Sequence, residues 1–171
     1  MRALMRATVA AAVLIGAVVG GAGAAAGTPS DPPGATVTVK AEVGAHPVNG
    51  RTAEWISPDS EIMVWEYQNV VKIDAMKGLD DIRVELNGPN RARLAVGTYQ
   101  DVRNQLYGPA SSPGILVISR GLGCIDDYAE FTVDRIERDL SGRLVALEAS
   151  FTQRCGAPDG PALNGHVHYQ A

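Results

Sequence analysis

Cysteine, histidine and aromatic rings are all scarce in this chain, and positive charge is in the minority. The two cysteines of 171 residues rule out a cysteine-dense framework. Neither lies in a Cys-x-x-Cys or has a close histidine in sequence, which argues against a zinc cluster. Ser111 and Ser112 lack a Gly-x-Ser-x-Gly setting, and there is no glycine-rich phosphate loop. No segment sustains a helical apolar period. Fifteen basic residues face 19 acidic ones, a net charge of −4 that disfavours nonspecific binding to nucleic acid or an anionic membrane.

What is present begins with a leader pattern. Arg2 and Arg6 charge the start, an Ala/Val/Leu/Ile/Gly run covers residues 7–19, and small residues follow to Ala26. This predicts a secretory signal over 1–26, cleaved after Ala24 or Ala26, and hence a secreted or envelope-associated protein. The apolar run is short for a retained anchor, so no membrane span is expected after cleavage. Loss of Arg2 and Arg6 takes the basic count from 15 to 13 and the net charge from −4 to −6. Residues 27–35, rich in proline and glycine, read as a flexible tether, and residues 36–171 as one domain.

Period-two alternation dominates that domain. Val37, Val39, Ala41 and Val43 share one face, with Thr36, Thr38, Lys40 and Glu42 on the other. Asn49-Gly50 reads as a tight turn and residues 51–55 as a short strand. Residues 62–67 are apolar on both faces, which predicts a central or loop-covered strand. Strands follow around Ile73, Val84, Leu94–Asp101 and Ile115–Ser119, separated by Lys77-Gly78-Leu79-Asp80, Asn87-Gly88-Pro89-Asn90 and a proline-glycine loop over 106–114.

The second half is organised as a hairpin between the cysteines. Phe131 and Val133 face inward on one strand, and Val145, Leu147, Ala149 and Phe151 on the other. Ile136 breaks the parity of Val133, which calls for a β-bulge near Asp134 or Arg135. Asp139-Leu140-Ser141-Gly142 supplies the turn, where Gly142 adopts a positive φ without strain. A disulfide between Cys124 and Cys155 is the default reading in an oxidising compartment; a metal pair or a reactive thiol are the alternatives. Closing a loop of about 30 residues contributes about 3 to 4 kcal/mol in the simplest entropic treatment.

The run Leu94-x-x-Gly97-Thr98-Tyr99, Gly121-x-Gly123-Cys124, Phe131-x-Val133, Gly142, Phe151-x-Gln153-x-Cys155 and Ala162-Leu163-x-Gly165-x-Val167-x-Tyr169 resembles a poorly characterised domain of secreted actinobacterial and myxobacterial proteins. The resemblance covers residues 81–169. It implies a disulfide-linked β-sandwich without known activity and brings no catalytic residues. Cys124 is followed by Ile125-Asp126-Asp127-Tyr128, where that pattern has a small polar turn.

About eight to ten short strands predict an all-β fold, an antiparallel two-sheet β-sandwich of immunoglobulin-like architecture. Trp55, Trp65 and Tyr107, with Tyr67 and Tyr99, are candidates for an aromatic ligand platform, weighed against core packing. His166 and His168 share a face with Asn164 and Gln170 and are candidate metal ligands, but no third ligand is placed by sequence, and a solvent-facing edge explains them as well. Asp80-Asp81 and Asp126-Asp127 lack a calcium-loop pattern, and Glu54, Glu61 and Glu66 have no separation that sequence fixes. The expectation is an exported, non-catalytic binding or adhesion-type module without cofactor, whose partner is an extracellular protein or carbohydrate. The alternative is a small secreted metal-binding protein or hydrolase with its site on the loops.

Overall fold

The computed structural model describes residues 33–171. The leader over 1–26, and the part of the tether up to residue 32, lie outside the described residues. The strands are β1 (Gly34–Ala41), β2 (Thr52–Ile56), β3 (Glu61–Tyr67), β4 (Val70–Lys77), β5 (Asp80–Asn87), β6 (Gly97–Asn104), β7 (Gly114–Ser119), β8 (Leu122–Gly123), β9 (Asp127–Arg138), β10 (Leu144–Cys155) and β11 (Ala162–Gln170). A 3-10 turn at Pro89–Arg91 is the only helical element among the described residues. Gly34 and Ala35, expected in the tether, are instead paired with Gln170 and Tyr169. Ala35 is buried in step with Val37 and Val39, so the strand starts as soon as its inward face has something to bury.

The strands are hydrogen-bonded in one path, β2-β1-β11-β10-β9-β6-β7-β5-β4-β3, with β8 on the flank of β7. The fold is all-β as expected, and the path forms one nearly closed, barrel-like mixed sheet that does not divide clearly into the two antiparallel sheets of a sandwich. The cause lies at one seam. β6 and β7 meet in parallel through only Arg103 opposite Gly114 and Asn104 opposite Ile115. Gly114 suits the crowding on both sides of β7, because a Cβ there would collide with the Asn87 side chain of β5 and stand 3.1 Å from the Gln105 Cα just after β6.

Two side-chain clasps draw the free ends of the path towards the body. Beside β2, the Arg51 guanidinium pairs with Asp80, donates to the Ser119 hydroxyl at 3.1 Å and lies 5.8 Å from the Trp55 ring centroid. The Trp55 indole N–H donates to the Asp80 carbonyl at 3.2 Å. From β3, Glu66 accepts from Arg138 of β9 at 2.8 Å through both oxygens and from Arg93 at 2.9 Å. Burial opposes the charge of Glu66, but the two guanidiniums outweigh it and hold the carboxyl below its usual range.

β3 itself corrects the sequence reading of a central or covered strand. It is the last strand of the path, and Met63 and Tyr67 on its outer face are 43% and 60% exposed. Its inward residues Ile62 and Val64 pack against the core. The outward aromatics therefore record a solvent-facing apolar stripe at an edge, and a two-faced apolar pattern does not distinguish that from burial on both sides.

The hairpin agrees with its sequence signals at the bulge and the turn but not at Val145, which a second register shift between Leu144 and Ala146 turns away from the core while those two neighbours are buried. Arg135 pairs with Glu148 and Val133 with Ala149, which leaves Asp134 as the extra residue of a bulge. In the turn Gly142 has φ 84°, while the Asp139 carboxylate accepts from the Ser141 and Arg143 amides at 2.9 and 3.0 Å. Inside the barrel, Tyr99, Phe131, Phe151 and Gly165 occupy successive strands at one level. Tyr99 and Phe131 stack with centroids 4.5 Å apart, and the Phe151 ring lies across Gly165 where any Cβ would stand. A missing side chain on β11 is thus filled from β10.

Candidate functional site: the outer face and its disulfide end

Period-two alternation sends one set of side chains of β6, β9, β10, β11, β1 and β2 out of the barrel, and the pairing register lines them up across strands. Thr98 stands beside Thr132, Thr132 beside Ser150, Ser150 beside His166, His166 beside Thr38, and Thr38 beside Glu54. This row crosses six strands. A second row carries Glu130, Thr152, Asn164, Lys40 and Thr52. Thr98 and Thr132 share a hydrogen bond of 3.1 Å, and the Thr152 hydroxyl donates to the Asn164 side-chain oxygen at 2.9 Å. The side chains are short, so three shallow depressions lie over the sheet.

These depressions share walls. The first, about 340 Å³, lies between Gln100, Arg103, Tyr128, Glu130, Thr152 and Arg154. Glu130 and Thr152 also border the second, about 330 Å³, which continues over Thr132, Ser150 and Asn164. Asn164 and Gly165 in turn border the third, about 390 Å³, which ends at Thr38, Glu54 and His166. A continuous polar trough follows, with an aromatic and two guanidiniums at one end and an imidazole at the other. Hydroxyl and amide groups both donate and accept, so such a surface pairs with uncharged polyols without demanding a fixed polarity.

The Tyr128 end is held by covalent and buried polar ties. Cys124 and Cys155 form a disulfide, with Cα atoms 5.6 Å apart, that joins the end of β10 to the loop before β9. Beneath it Asp127 is fully buried and accepts from Asn104 at 2.7 Å and from Gln153 at 2.6 Å. Asn104 also donates to the Cys124 carbonyl at 2.9 Å, and its own oxygen accepts from the Leu106 and Tyr107 amides. Burial raises the Asp127 carboxyl above its usual range, against the two amide hydrogen bonds that oppose the shift. Above this network the Arg103 guanidinium stacks 4.2 Å from the Tyr128 centroid. On the other side of that stack is a further depression of about 350 Å³, reached by Tyr107, Pro109 and Ile125.

The sequence candidates separate accordingly. Trp55 is 1% exposed and belongs to the core, so it is no ligand platform; its ring closes the barrel beside Arg51. Trp65 is half-buried on β3, on the outer face of the other end of the path, and Tyr107 reaches only the small depression behind Arg103. Of the acidic pairs, Asp80 is engaged by Arg51 and Arg120 and Asp81 accepts from the Arg120 amide, while Asp127 belongs to the amide network. Among the described residues, no group of three or more His, Cys, Asp or Glu side chains is placed to hold a metal ion. His46 is not brought to the other histidines; its Nε2 lies 2.9 Å from the Gly123 carbonyl oxygen. His166 and His168 do share a face, and both reach Glu148 of β10. Sequence reading missed Glu148, Arg103, Tyr128 and the threonine row. Outward parity marked each of them, but only the strand register shows which are neighbours.

Compared with protein-family models, with curated proteins and with solved structures, the chain matches none of them. No helix among the described residues is long and apolar enough to cross a membrane.

Proposed function

We propose that the protein is an exported, non-catalytic binding module whose outer trough holds an extended, polar polysaccharide chain. The observation that carries this reading is the unbroken row of hydroxyl and imidazole side chains from Thr98 to Thr38, ending at the Glu54 carboxylate and flanked by the Thr152–Asn164 pair, lying along depressions that share walls. A neutral polyol presents many alternating donors and acceptors and little charge, which suits side chains able to act in either sense. The Tyr128 ring, backed by Arg103, offers a flat apolar surface to a sugar face at one end. Rigid strands carry most of the contacts, so little ordering entropy is lost on binding. The charged start of the leader and the Cys124–Cys155 disulfide support an oxidising, extracytoplasmic location.

The test is retention of the purified protein by insoluble polysaccharides of several chemistries, followed by variants that fill the trough without entering the core. Serine and threonine at 150 and 38 face outward, so S150K and T38K place long side chains in it. Retention by at least one polysaccharide, lost in the S150K/T38K pair with folding intact, is the expected result. Equal retention of that pair, or none for the wild-type protein, refutes the reading.

A further inference from the structure

We propose that the Arg103–Tyr128–Arg154 end of the trough takes a sugar unit bearing a carboxylate, within a chain whose acidic units are spaced by neutral ones. This rests on the reading of the trough as a polysaccharide groove and names the unit at its disulfide end. Val102 pairs with Ala129, and Tyr128 pairs with Arg154. With Val102, Asp127 and Gln153 buried, alternation turns Arg103, Tyr128 and Arg154 outward side by side on β6, β9 and β10. All three line the depression of about 340 Å³.

Charge pairing singles this corner out. On other strands and turns Arg83 meets Asp74, Arg93 and Arg138 meet Glu66, and Arg143 meets Asp139. Among the described residues, neither Arg103 nor Arg154 has an ion-pair partner. Arg103 instead lies over the Tyr128 ring, 4.2 Å from its centroid, and Arg154 donates through Nη1 to the Gly160 carbonyl. Those contacts hold both guanidiniums in place and leave most of their N–H donors to a ligand. A guanidinium fork matches the two oxygens of a carboxylate, and two cations on one depression are relieved by an anion between them. The same depression limits how much charge enters. Asp101 and Glu130 line it as well, and Glu130 also borders the next depression along the trough. A second carboxylate facing Glu130 is repelled, so an uncharged unit follows the acidic one. At physiological salt a charge is felt over about 8 Å, so these near groups decide the matter and the net negative charge of the chain does not.

The experiment measures binding of the purified protein to bead-immobilised glucuronoxylan and hyaluronate, whose acidic units are spaced by neutral ones, each before and after chemical reduction of its carboxyls to alcohols. Wild type, R154Q, R103Q/R154Q and S150K/T38K are compared, with thermal melts of each. The wild type should hold at least one native polymer about tenfold or more tighter than its reduced form, the worth of a charge-assisted contact. R103Q/R154Q should hold both forms alike, and R154Q, which leaves the stack of Arg103 on Tyr128 in place, should lose most of the preference even if the pair does not fold. Added salt should erase the wild-type preference while leaving binding of the reduced form unchanged. Equal binding of native and reduced forms by the wild type, a preference that survives R103Q/R154Q, or no binding of either native polymer overturns the proposal. Equal binding that S150K/T38K abolishes does so while leaving the trough reading standing, whereas a carboxyl preference indifferent to S150K/T38K refutes the trough and leaves the acidic corner.

Discussion

Replacing Asp127 separates the support of the disulfide end from the packing of the rest of the barrel. The carboxylate is fully buried and accepts from Asn104 and Gln153. In D127A, Asn104 keeps the Cys124 carbonyl as a partner, but the Gln153 amide is left with an unpaired buried donor. One such donor costs about 1 to 3 kcal/mol, which is the expected loss in D127A. D127N differs, because the Gln153 side-chain oxygen is itself buried without a partner, and a flip of that amide lets it accept from the introduced amide. The expected cost of D127N is about 1 kcal/mol or less. Its pH dependence has a definite sign. Burial raises the Asp127 carboxyl, so its contribution to stability is complete below the unfolded-state value and is lost as pH rises through the folded-state value. D127N should therefore gain on the wild type as pH rises out of the acid range. Urea unfolding under non-reducing conditions, at several pH values, measures all of this. Equal stability of D127A and wild type, or equal losses in D127A and D127N, would refute the reasoning.

Three further outcomes follow from the same packing. G165A should lose about 1 to 3 kcal/mol in urea unfolding, since the added methyl meets the Phe151 ring, and G165A/F151L should recover part of it. The depressed Glu66 carboxyl contributes stability above the usual carboxylate range that disappears as pH falls through its lowered value; E66Q should flatten that part of the acid-unfolding curve and cost about 2 to 3 kcal/mol at neutral pH, because Arg138 is left largely buried. Removing the disulfide as C124S/C155S should cost about 2 to 4 kcal/mol in the same assay, with the loss absent when the wild type is compared under strong reductant.

Local chemistry was legible in the sequence wherever it depended on neighbours in the chain. Parity around Ile136 required a bulge, and Asp134 is the residue expelled; Gly142 and Asp139 build the turn that their types imply. The two cysteines flank strands that pair, so their bond follows from the hairpin. Closure of the sheet was not legible, because it rests on two parallel residue pairs and on a close approach at Gly114, where a Cβ would crowd Gln105 just after β6. Alternation gives the face of a strand but not its place in the order, which is why β3 reads as central or loop-covered and stands at an edge, and why alternation leaves Trp55 open between a platform and the core, where it lies. For the same reason the third group beside His166 and His168 was hidden. Glu148 is 18 residues away from His166 and reaches it only through the β10–β11 register.

The trough crosses five inter-strand spacings, about 24 Å at about 4.8 Å each. Affinity for a soluble oligosaccharide of the retaining polysaccharide, measured by calorimetry over a series of chain lengths, should therefore rise with each added unit until the ligand spans about that distance, then level off. An affinity already at its plateau with a single sugar unit, or still rising for ligands well beyond that span, would contradict a binding surface made of these three joined depressions.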